Sequence, residues 1–257
     1  MKCQYLPQSI LITGASSGLG RALALAYAQK GITLHLCGRN AARLIQVAGV
    51  CTEKGAEVQM YLFDTTNAVK TQQAVIKANH FKKLDLVIAN AGISGGVLGS
   101  DETHSSVRQI MNTNVFGCLN TVLPALACMQ KNQGGQIALV ASLAGFRGMS
   151  SCPAYSASKA AVKALGEALY GQQRGKGIHI TTICPGFIET PLTDKNQFYM
   201  PFLMSADKAA GLIKKRLEKA PPMIVFPWIM GVAAKVGAML PGFIARPLFG
   251  MLPKKEK

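Results

Sequence analysis

Tyr155 and Lys159 are the two residues whose types and spacing best suit acid–base chemistry. They stand four positions apart in an alanine-rich stretch, and residues at that interval share one face of a helix. A lysine ammonium about 4 Å from a phenol favours its ionised form by up to about 4 kcal/mol. We therefore expect Lys159 to lower the pKa of Tyr155 by roughly 3 units, which suits proton exchange at a substrate oxygen. The competing interpretation is a solvated surface pair, which this spacing often gives in unrelated helices.

Ser142 and Asn114 are the polar residues that best complete such a site. Ser142 ends a predicted strand, residues 136–141, where its hydroxyl could donate a hydrogen bond to a substrate oxygen and stabilise developing charge. Asn114 falls within a predicted long helix, residues 105–131, where it would hold a water that relays protons towards Lys159. Each has a structural alternative, because Ser142 could cap the next element and Asn114 could bond to backbone.

A glycine-rich turn lies between a predicted strand, residues 9–13, and a predicted helix, residues 21–30. Glycine permits positive φ and lets a ligand approach the backbone, and a helix N-terminus attracts a pyrophosphate. A GxxxGxG turn in this position predicts dinucleotide binding, with a ligand-free tight turn as the alternative. The cofactor-binding residues predicted in this turn are Gly14, Ser16, Ser17, Gly18, Leu19 and Gly20.

Arg39 follows the second predicted strand, at the place where NAD-binding units carry an acidic residue for the ribose 2′-hydroxyl. The sequence has no acid between Gly20 and Glu53. A guanidinium can instead bind a 2′-phosphate through two charge-assisted hydrogen bonds. Arg39 therefore favours NADP(H) as the cofactor, with Arg21 and Arg43 adding positive potential. The alternative is an ordinary exposed arginine.

Strand-like and helix-like segments alternate along the chain, which predicts an α/β fold with a parallel sheet of about seven strands and helices on both faces. Right-handed crossovers then bring the carboxyl ends of the strands to one edge, where ligands bind. No linker or repeat divides the chain, so we expect a single domain over residues 1–257. The residues that follow predicted strands, and should meet at this edge, are Gly14, Arg39, Asp64, Asn90, Ser142 and Pro185.

From about Ser9 to Leu192, the chain resembles the short-chain dehydrogenase/reductase family. The matching motifs are Thr13–Gly20, Asn90-Ala91-Gly92, Asn114, Ser142, Tyr155-x-x-x-Lys159, and Pro185-Gly186 with Thr190. The resemblance implies a Rossmann-type, doubly wound fold and hydride transfer between a nicotinamide and a carbonyl or alcohol. It also implies a homodimer or homotetramer packed through the long helices around Asn114 and Tyr155.

The resemblance assigns roles to matched residues. Asn114, Ser142, Tyr155 and Lys159 would form a catalytic tetrad, in which Tyr155 and Lys159 also contact the cofactor. Asp64 and Asn90 would lie on the adenosine side of the cofactor, and Ile188 and Thr190 at the nicotinamide carboxamide. The remaining matched residues on the cofactor path are Ala91, Gly92, Pro185 and Gly186.

Composition limits the partners. The net charge of +16 favours anionic partners such as a phosphorylated cofactor, an acidic substrate, a membrane surface or nucleic acid, but no recognition motif supports nucleic acid. The four histidines form no ligand motif, so no metal is expected. Seven cysteines without a CxxC pair indicate reduced thiols, and the N-terminus lacks a signal-peptide pattern, so we expect a cytoplasmic protein.

The C-terminal third departs from the pattern of the family. A region at about 187–205 is apolar and aromatic, which suggests a lid over a lipid-like, acyl-like or steroid-like substrate or, alternatively, a packed surface helix. The apolar extension 228–257 predicts two short amphipathic helices. These could contact the inner face of a membrane, the substrate cleft or another subunit. The alternative function is a non-catalytic NADP(H)-binding regulatory protein.

Overall fold

The computed structural model describes residues 6–94, 103–194 and 199–244. Its main sheet has seven parallel strands in the order β3-β2-β1-β4-β5-β6-β9, and a separate ladder joins the two-residue strands β7 and β8. The strands are β1 Ser9–Thr13, β2 Thr33–Gly38, β3 Glu57–Leu62, β4 Leu86–Ala89, β5 Gly135–Val140, β6 Ile178–Pro185, β7 Ile188–Glu189, β8 Met204–Ser205 and β9 Met223–Phe226.

Helices cover both faces of this sheet. Buried side chains of α1, α2 and α7 form the core on one face, and those of α3, α5 and α6 form the core on the other. The helices are α1 Gly18–Tyr27, α2 Ala41–Glu53, α3 Ala68–Phe81, α4 His104–Met111, α5 Gly117–Asn132, α6 Pro153–Gln173, α7 Ala206–Leu217 and α8 Trp228–Met239. The predicted doubly wound α/β class is therefore observed.

The central strands are buried along their whole length, which explains why they read as apolar runs without alternation. Every residue of β1, β4 and β5 is buried, as expected for parallel strands covered by helices on both sides.

Polar side chains cap several helices: Asn40 accepts a hydrogen bond from the N–H of Arg43, and Asn67 from that of Lys70. Strand ends and helix starts are thus fixed by short-range chemistry.

Three local features differ from the sequence prediction. Helix α1 begins at Gly18, inside the glycine turn. A five-residue π-helical segment, Asn112–Phe116, separates α4 from α5, where one long helical stretch, residues 105–131, with a kink at Pro124 was expected. The β7–β8 ladder was not predicted, because two-residue strands leave no periodicity to detect. Both the π segment and the ladder lie at the edge of the sheet that carries the predicted site, and π-helical turns are frequent at functional sites.

Within the described ranges, no helix has the length and apolar character that a bilayer crossing requires. In the same part of the chain, no cluster of histidine, cysteine, aspartate or glutamate is arranged to hold a metal ion.

Candidate active site

A cleft of about 1280 Å³ opens at the carboxyl ends of the strands. It runs from the glycine turn, past the end of β5, to helix α8. Most of the predicted site residues line it, so residues far apart in sequence meet along one crevice, as the strand order requires. The predicted residues on its walls are Gly14, Ser16, Ser17, Gly18, Leu19, Arg39, Asp64, Asn90, Ala91, Gly92, Ser142, Tyr155, Lys159, Pro185, Gly186, Ile188 and Thr190.

The glycine turn has the backbone shape that a dinucleotide needs. Gly14 and Gly18 have φ values of +68° and +51°, which only glycine adopts at little cost. A Cβ on Gly14 would lie 3.0 Å from the Cα of Ala91 and 3.0 Å from Nδ2 of Asn90. Helix α1 starts at Gly18, and Ser17 at its N-cap makes no side-chain capping bond. The turn therefore offers close backbone approach and unsatisfied N–H groups, which fit the pyrophosphate of a dinucleotide.

Gly20 does not line the cleft. It lies in the first turn of α1, behind the glycine turn, where a Cβ would overlap the carbonyl oxygen of Gly14 and lie 2.6 Å from Nδ2 of Asn90. Its absent side chain thus allows the helix to pack directly on the turn. Gly20 shapes the cofactor site from behind the wall, whereas the sequence prediction counted it as a binding residue.

Thr13 fixes the two loops against each other, a role that the sequence prediction missed. Its Oγ1 accepts hydrogen bonds from the N–H groups of Asn90 at 3.1 Å and Ala91 at 3.2 Å. The side-chain amide of Asn90 donates back to the carbonyl of Thr13 at 2.9 Å. In the sequence, the only feature that could have indicated this role is that a hydroxyl residue ends the strand just before the glycines.

Arg39 and Asp64 form an ion pair at one end of the cleft. Arg39 Nη1 lies 2.9 Å from Asp64 Oδ2, and the arginine side chain is 57% exposed. Burial alone would raise the pKa of the Asp64 carboxyl, but hydrogen bonds from Thr66 and Arg39 outweigh it and lower the pKa below its ordinary value. Arg43 lines the same end. This end therefore carries more positive than negative charge, although the guanidinium of Arg39 already has a carboxylate partner.

Tyr155, Ser142 and Lys159 meet in the middle of the cleft. Ser142 hydrogen-bonds to the Tyr155 hydroxyl. Lys159 is buried, donates to the carbonyl of Val140 at 2.9 Å, and holds its Nζ 5.7 Å from the centroid of the Tyr155 ring. Ser142 Oγ also accepts the N–H of Ala144 at 3.1 Å and caps a short 3-10 turn. The capping and substrate-facing interpretations of Ser142 are therefore compatible.

The pKa of Tyr155 differs in direction from the sequence prediction. Burial raises the pKa of Tyr155 to about 12, the hydrogen bond from Ser142 lowers it only in part, and Cys152 raises it further. Burial also lowers the pKa of Lys159 to about 8. The expected lowering of the phenol pKa is therefore wrong for the isolated chain, because burial of the phenol outweighs the hydrogen bond that lowers its pKa.

Asn114 is buried behind the cleft wall, in the π segment. Its amide donates to the carbonyl of Ile93 at 2.9 Å and to Ser158 Oγ at 2.9 Å, while its Oδ1 accepts the N–H of Ile93 at 2.8 Å. A Cβ on Gly92 would lie 3.2 Å from Asn114 Oδ1 and 3.3 Å from Lys159 Nζ. The structural interpretation of Asn114 is thus observed, and one Oδ1 lone pair remains beside the lysine.

The far side of the cleft contains Gly186, Ile188 and Thr190, held by a threonine that the sequence prediction missed. Thr193 Oγ1 donates to the carbonyl of Ile188 at 2.6 Å and accepts the N–H of Thr190 at 3.0 Å. A Cβ on Gly186 would lie 2.9 Å from the ring of Pro227, so the chain is tightly packed here.

Helix α8 lines the end of the cleft opposite the glycine turn, so this part of the C-terminal extension meets the cleft, one of the three places expected for it. Residues 245–257 of the extension lie outside the described residues. Arg147 holds its end by donating to the carbonyls of Gly237 at 2.7 Å and Leu240 at 3.0 Å. Phe198 of the predicted lid lies outside the described residues. The apolar residues at this end, including several that the sequence prediction did not single out, are Met149, Cys152, Tyr199, Pro201, Met230, Ala233, Ala234 and Leu240.

Comparison with known sequences decides the family. The sequence model of the short chain dehydrogenase family matches residues 8–198. The chain belongs to the short-chain dehydrogenase family. An uncharacterized oxidoreductase of Myxococcus xanthus is 37% identical over 243 residues, covering 94% of both chains. A 3beta-hydroxysteroid dehydrogenase of Mediterraneibacter gnavus is 36% identical over 205 residues, covering 79% of this chain and 74% of the relative.

Solved short-chain dehydrogenases share the fold. A short-chain type dehydrogenase/reductase from Mycobacterium marinum is 26% identical, with a TM-score of 0.78, and the match covers 87% of this chain and 95% of that one. A short chain dehydrogenase from Mycobacterium paratuberculosis, bound to NAD, is 22% identical, with a TM-score of 0.75, and the match covers 88% of this chain and 97% of that one. The predicted Rossmann-type fold is confirmed. The chain is an oxidoreductase that interconverts CH–OH and C=O groups.

Proposed function

We propose that this short-chain dehydrogenase is an NADP(H)-dependent reductase of an apolar carbonyl, lipid-like, acyl-like or steroid-like, and oxidises the corresponding alcohol in reverse. The observation that carries the proposal is the meeting of Tyr155, Ser142 and Lys159 in one cleft beside the glycine turn. The cofactor-binding residues are the predicted ones that line this cleft, with Gly20 acting from behind.

The proton chemistry follows from the burial of Tyr155. A pKa raised to about 12 keeps the phenol protonated at neutral pH, so Tyr155 is the general acid of the reduction. A nicotinamide cofactor, when bound, supplies the hydride to the carbonyl carbon. Tyr155 then gives its proton to the carbonyl oxygen, and Ser142 donates a hydrogen bond to the charge that develops there.

Lys159 and Asn114 restore the proton. The pKa of Lys159, lowered to about 8 by burial, lies close to neutrality, so its ammonium can release a proton more readily than an ordinary lysine. Until that proton is released, the positive charge of the ammonium stabilises the phenolate that Tyr155 becomes; after the transfer Tyr155 is neutral again and Lys159 is an uncharged amine. The unused lone pair of Asn114 Oδ1 can accept from a water beside Lys159, which would connect the lysine to solvent.

NADP(H) is the proposed cofactor because guanidinium groups lie where the 2′ substituent of the adenosine ribose would bind. Arg39 and Arg43 line the adenosine end of the cleft, and Arg39 occupies the place at which NAD-binding units have an acid. Binding of a 2′-phosphate would require Arg39 to share or exchange its bond with Asp64.

An apolar substrate suits the opposite end. Met230, Ala233, Ala234 and Leu240 offer no charge to a ligand. One relative is named a steroid dehydrogenase, and that agrees with a bulky apolar substrate.

The quaternary and cellular parts of the proposal rest on other features. Exposed apolar residues on the π segment and on α5 and α6 (Phe116, Leu123 and Tyr170) support a homodimer or homotetramer through these helices. Among the described residues, six cysteines form no disulfide, and five of them are buried, which agrees with a cytoplasmic enzyme. Residues 1–257 are proposed to be one domain.

A graded series of carbonyl substrates, followed by NADPH consumption, tests this function. We expect turnover that improves with apolar chain length and falls at least about 1,000-fold in Tyr155→Phe, within the range for removal of a general acid. Fluorescence titration should show unchanged NADPH affinity in that variant. Binding of NADPH without turnover of any substrate would instead favour a non-catalytic regulatory protein.

A further inference from the structure

Helix α8 is apolar on two sides. Its residues Met230, Ala233, Ala234 and Val236 line the cleft, as does Leu240 just beyond its end. The large apolar residues on its other side fall within an arc of about 100° at the α-helical repeat, and they are exposed. These residues, with their exposed fractions, are Trp228 72%, Ile229 44%, Val232 53% and Met239 84%. We call them the outer face of α8.

This outer face lacks the polar character of an ordinary surface helix. Lys235, at the edge of the arc, is the one charged residue of α8. The apolar surface continues beyond the helix at Phe243, which is 78% exposed, and at Ile244, which is 44% exposed. Single exposed apolar residues are normal, but a continuous stripe along a helix marks a contact surface.

The charge of the sequence indicates the type of partner. Between Glu218 and Glu256 the sequence contains no acidic residue, and the whole chain has a net charge of +16. So basic a chain attracts an anionic surface. The five basic residues of this acid-free stretch are Lys219, Lys235, Arg246, Lys254 and Lys255.

We propose that the outer face of α8 docks on an anionic lipid bilayer, lying in the plane of the interface without crossing it. The 12-residue helix is about 18 Å long, less than the roughly 30 Å of a hydrocarbon core. An apolar stripe with a tryptophan at one end and lysine at its flank is typical of interfacial helices. Given the proposed function, docking would also bring the apolar end of the cleft next to the lipid that dissolves its substrate.

Trp228 makes the docking directly measurable, because it is the one tryptophan of the chain. Full-length protein is mixed with vesicles of phosphatidylcholine, with or without phosphatidylglycerol. On the anionic vesicles we expect a blue shift of tryptophan emission and at least about tenfold stronger co-sedimentation than on neutral ones. The double variant Val232→Glu/Met239→Glu, at two exposed positions that do not line the cleft, should lose at least about tenfold of that binding. The matched control is Val69→Glu on α3, at a position 62% exposed, and it should bind like wild type.

Three results would overturn the docking surface: no emission shift and no co-sedimentation, equal binding to neutral vesicles, or full binding by the double variant. Dimerisation that the double variant loses, without any vesicle binding, would assign the face to a second copy instead. Turnover of a short, water-soluble carbonyl reports folding and catalysis independently. A protein that docks but turns over no carbonyl of the graded series would refute the proposed function alone, and one that turns over a carbonyl without docking would refute this inference alone.

Discussion

The two ends of the cleft are built in different ways. The cofactor end consists of backbone at the ends of buried strands, with glycines where any Cβ would meet neighbouring atoms. The substrate end consists of apolar side chains on α8 and on the loops before α6 and β8, and most of these residues are half-buried. Backbone geometry fixes the first end, whereas side-chain volume defines the second. Changes at the cofactor end should therefore abolish function, and changes at the substrate end should alter selectivity.

Gly20→Ala should have the largest effect. The new Cβ would overlap the carbonyl oxygen of Gly14 and press on Asn90, so the turn would have to move. We expect NADPH affinity to fall more than about 100-fold, that is, by more than about 2.7 kcal/mol. Isothermal titration of protein whose fold has been checked by circular dichroism measures this.

Gly49→Ala is the matched control, because a Cβ on that residue of α2 meets nothing within 4 Å. It should leave NADPH affinity unchanged and stabilise the protein by about 0.5–1 kcal/mol. If Gly20→Ala binds NADPH within about threefold of wild type, the cofactor end is less rigid than its backbone packing indicates.

Lys159→Met should stabilise the fold while removing turnover. The folded-state pKa of about 8 lies below the ordinary 10.5, so the unfolded chain binds this proton more tightly and the charged lysine opposes folding at pH 7. This difference between the two pKa values corresponds to a loss of at most about 3 kcal/mol in the free energy of unfolding. The cost disappears as pH rises from about 8 towards 10.5, so the advantage of the variant should shrink over that range.

Urea denaturation at pH 7 and pH 9.5, without added cofactor, measures the stability of Lys159→Met. Lys163→Met removes a surface pair with Glu167 and should change stability by less than about 1 kcal/mol at either pH. A Lys159→Met protein less stable than wild type at pH 7 would mean that the bond to Val140 outweighs desolvation.

The same contrast explains what the sequence could predict. The carboxyl ends of parallel strands meet at one edge, so residues after strands, such as Asn90, Ser142 and Pro185, were correctly expected to lie together. Glycine spacing predicted the turn because positive φ and close backbone packing require glycine at these positions. Thr13 and Thr193 were missed because single hydroxyls follow no periodicity, and their partners become neighbours only in the folded chain.

Quantities that depend on burial were beyond sequence reasoning. The spacing of Tyr155 and Lys159 correctly predicted a shared helix face, but the direction of the tyrosine pKa depends on how much water the cleft excludes. The apolar extension 228–257 likewise predicted two short amphipathic helices, of which α8 is described, yet no pattern states what covers each face. The structure shows what one side of α8 contacts, because Met230 and Ala233 on that side line the cleft.

Arg39→Ala should weaken NADPH binding by about 10- to 50-fold and change NADH affinity less than about threefold. The guanidinium is exposed, so solvent screens its attraction for a 2′-phosphate, and the loss stays below that of Gly20→Ala. Asp64→Asn is the informative partner change, because it releases Arg39 and should keep or improve NADPH binding. Equal affinities of wild type for NADPH and NADH would remove the case for Arg39.

Arg147→Met should have the smallest effect and should be confined to the substrate end. Loss of the two hydrogen bonds to Gly237 and Leu240 loosens α8 without touching the glycine turn. We expect stability to fall by about 1–2 kcal/mol, KM for long apolar carbonyls to rise a few-fold, and values for short carbonyls and NADPH to stay the same. Arg216→Met, which removes a bond to the carbonyl of Val225 outside the cleft, should leave the KM pattern unchanged. If Arg147→Met affected short and long substrates equally, α8 would contribute general stability rather than selectivity.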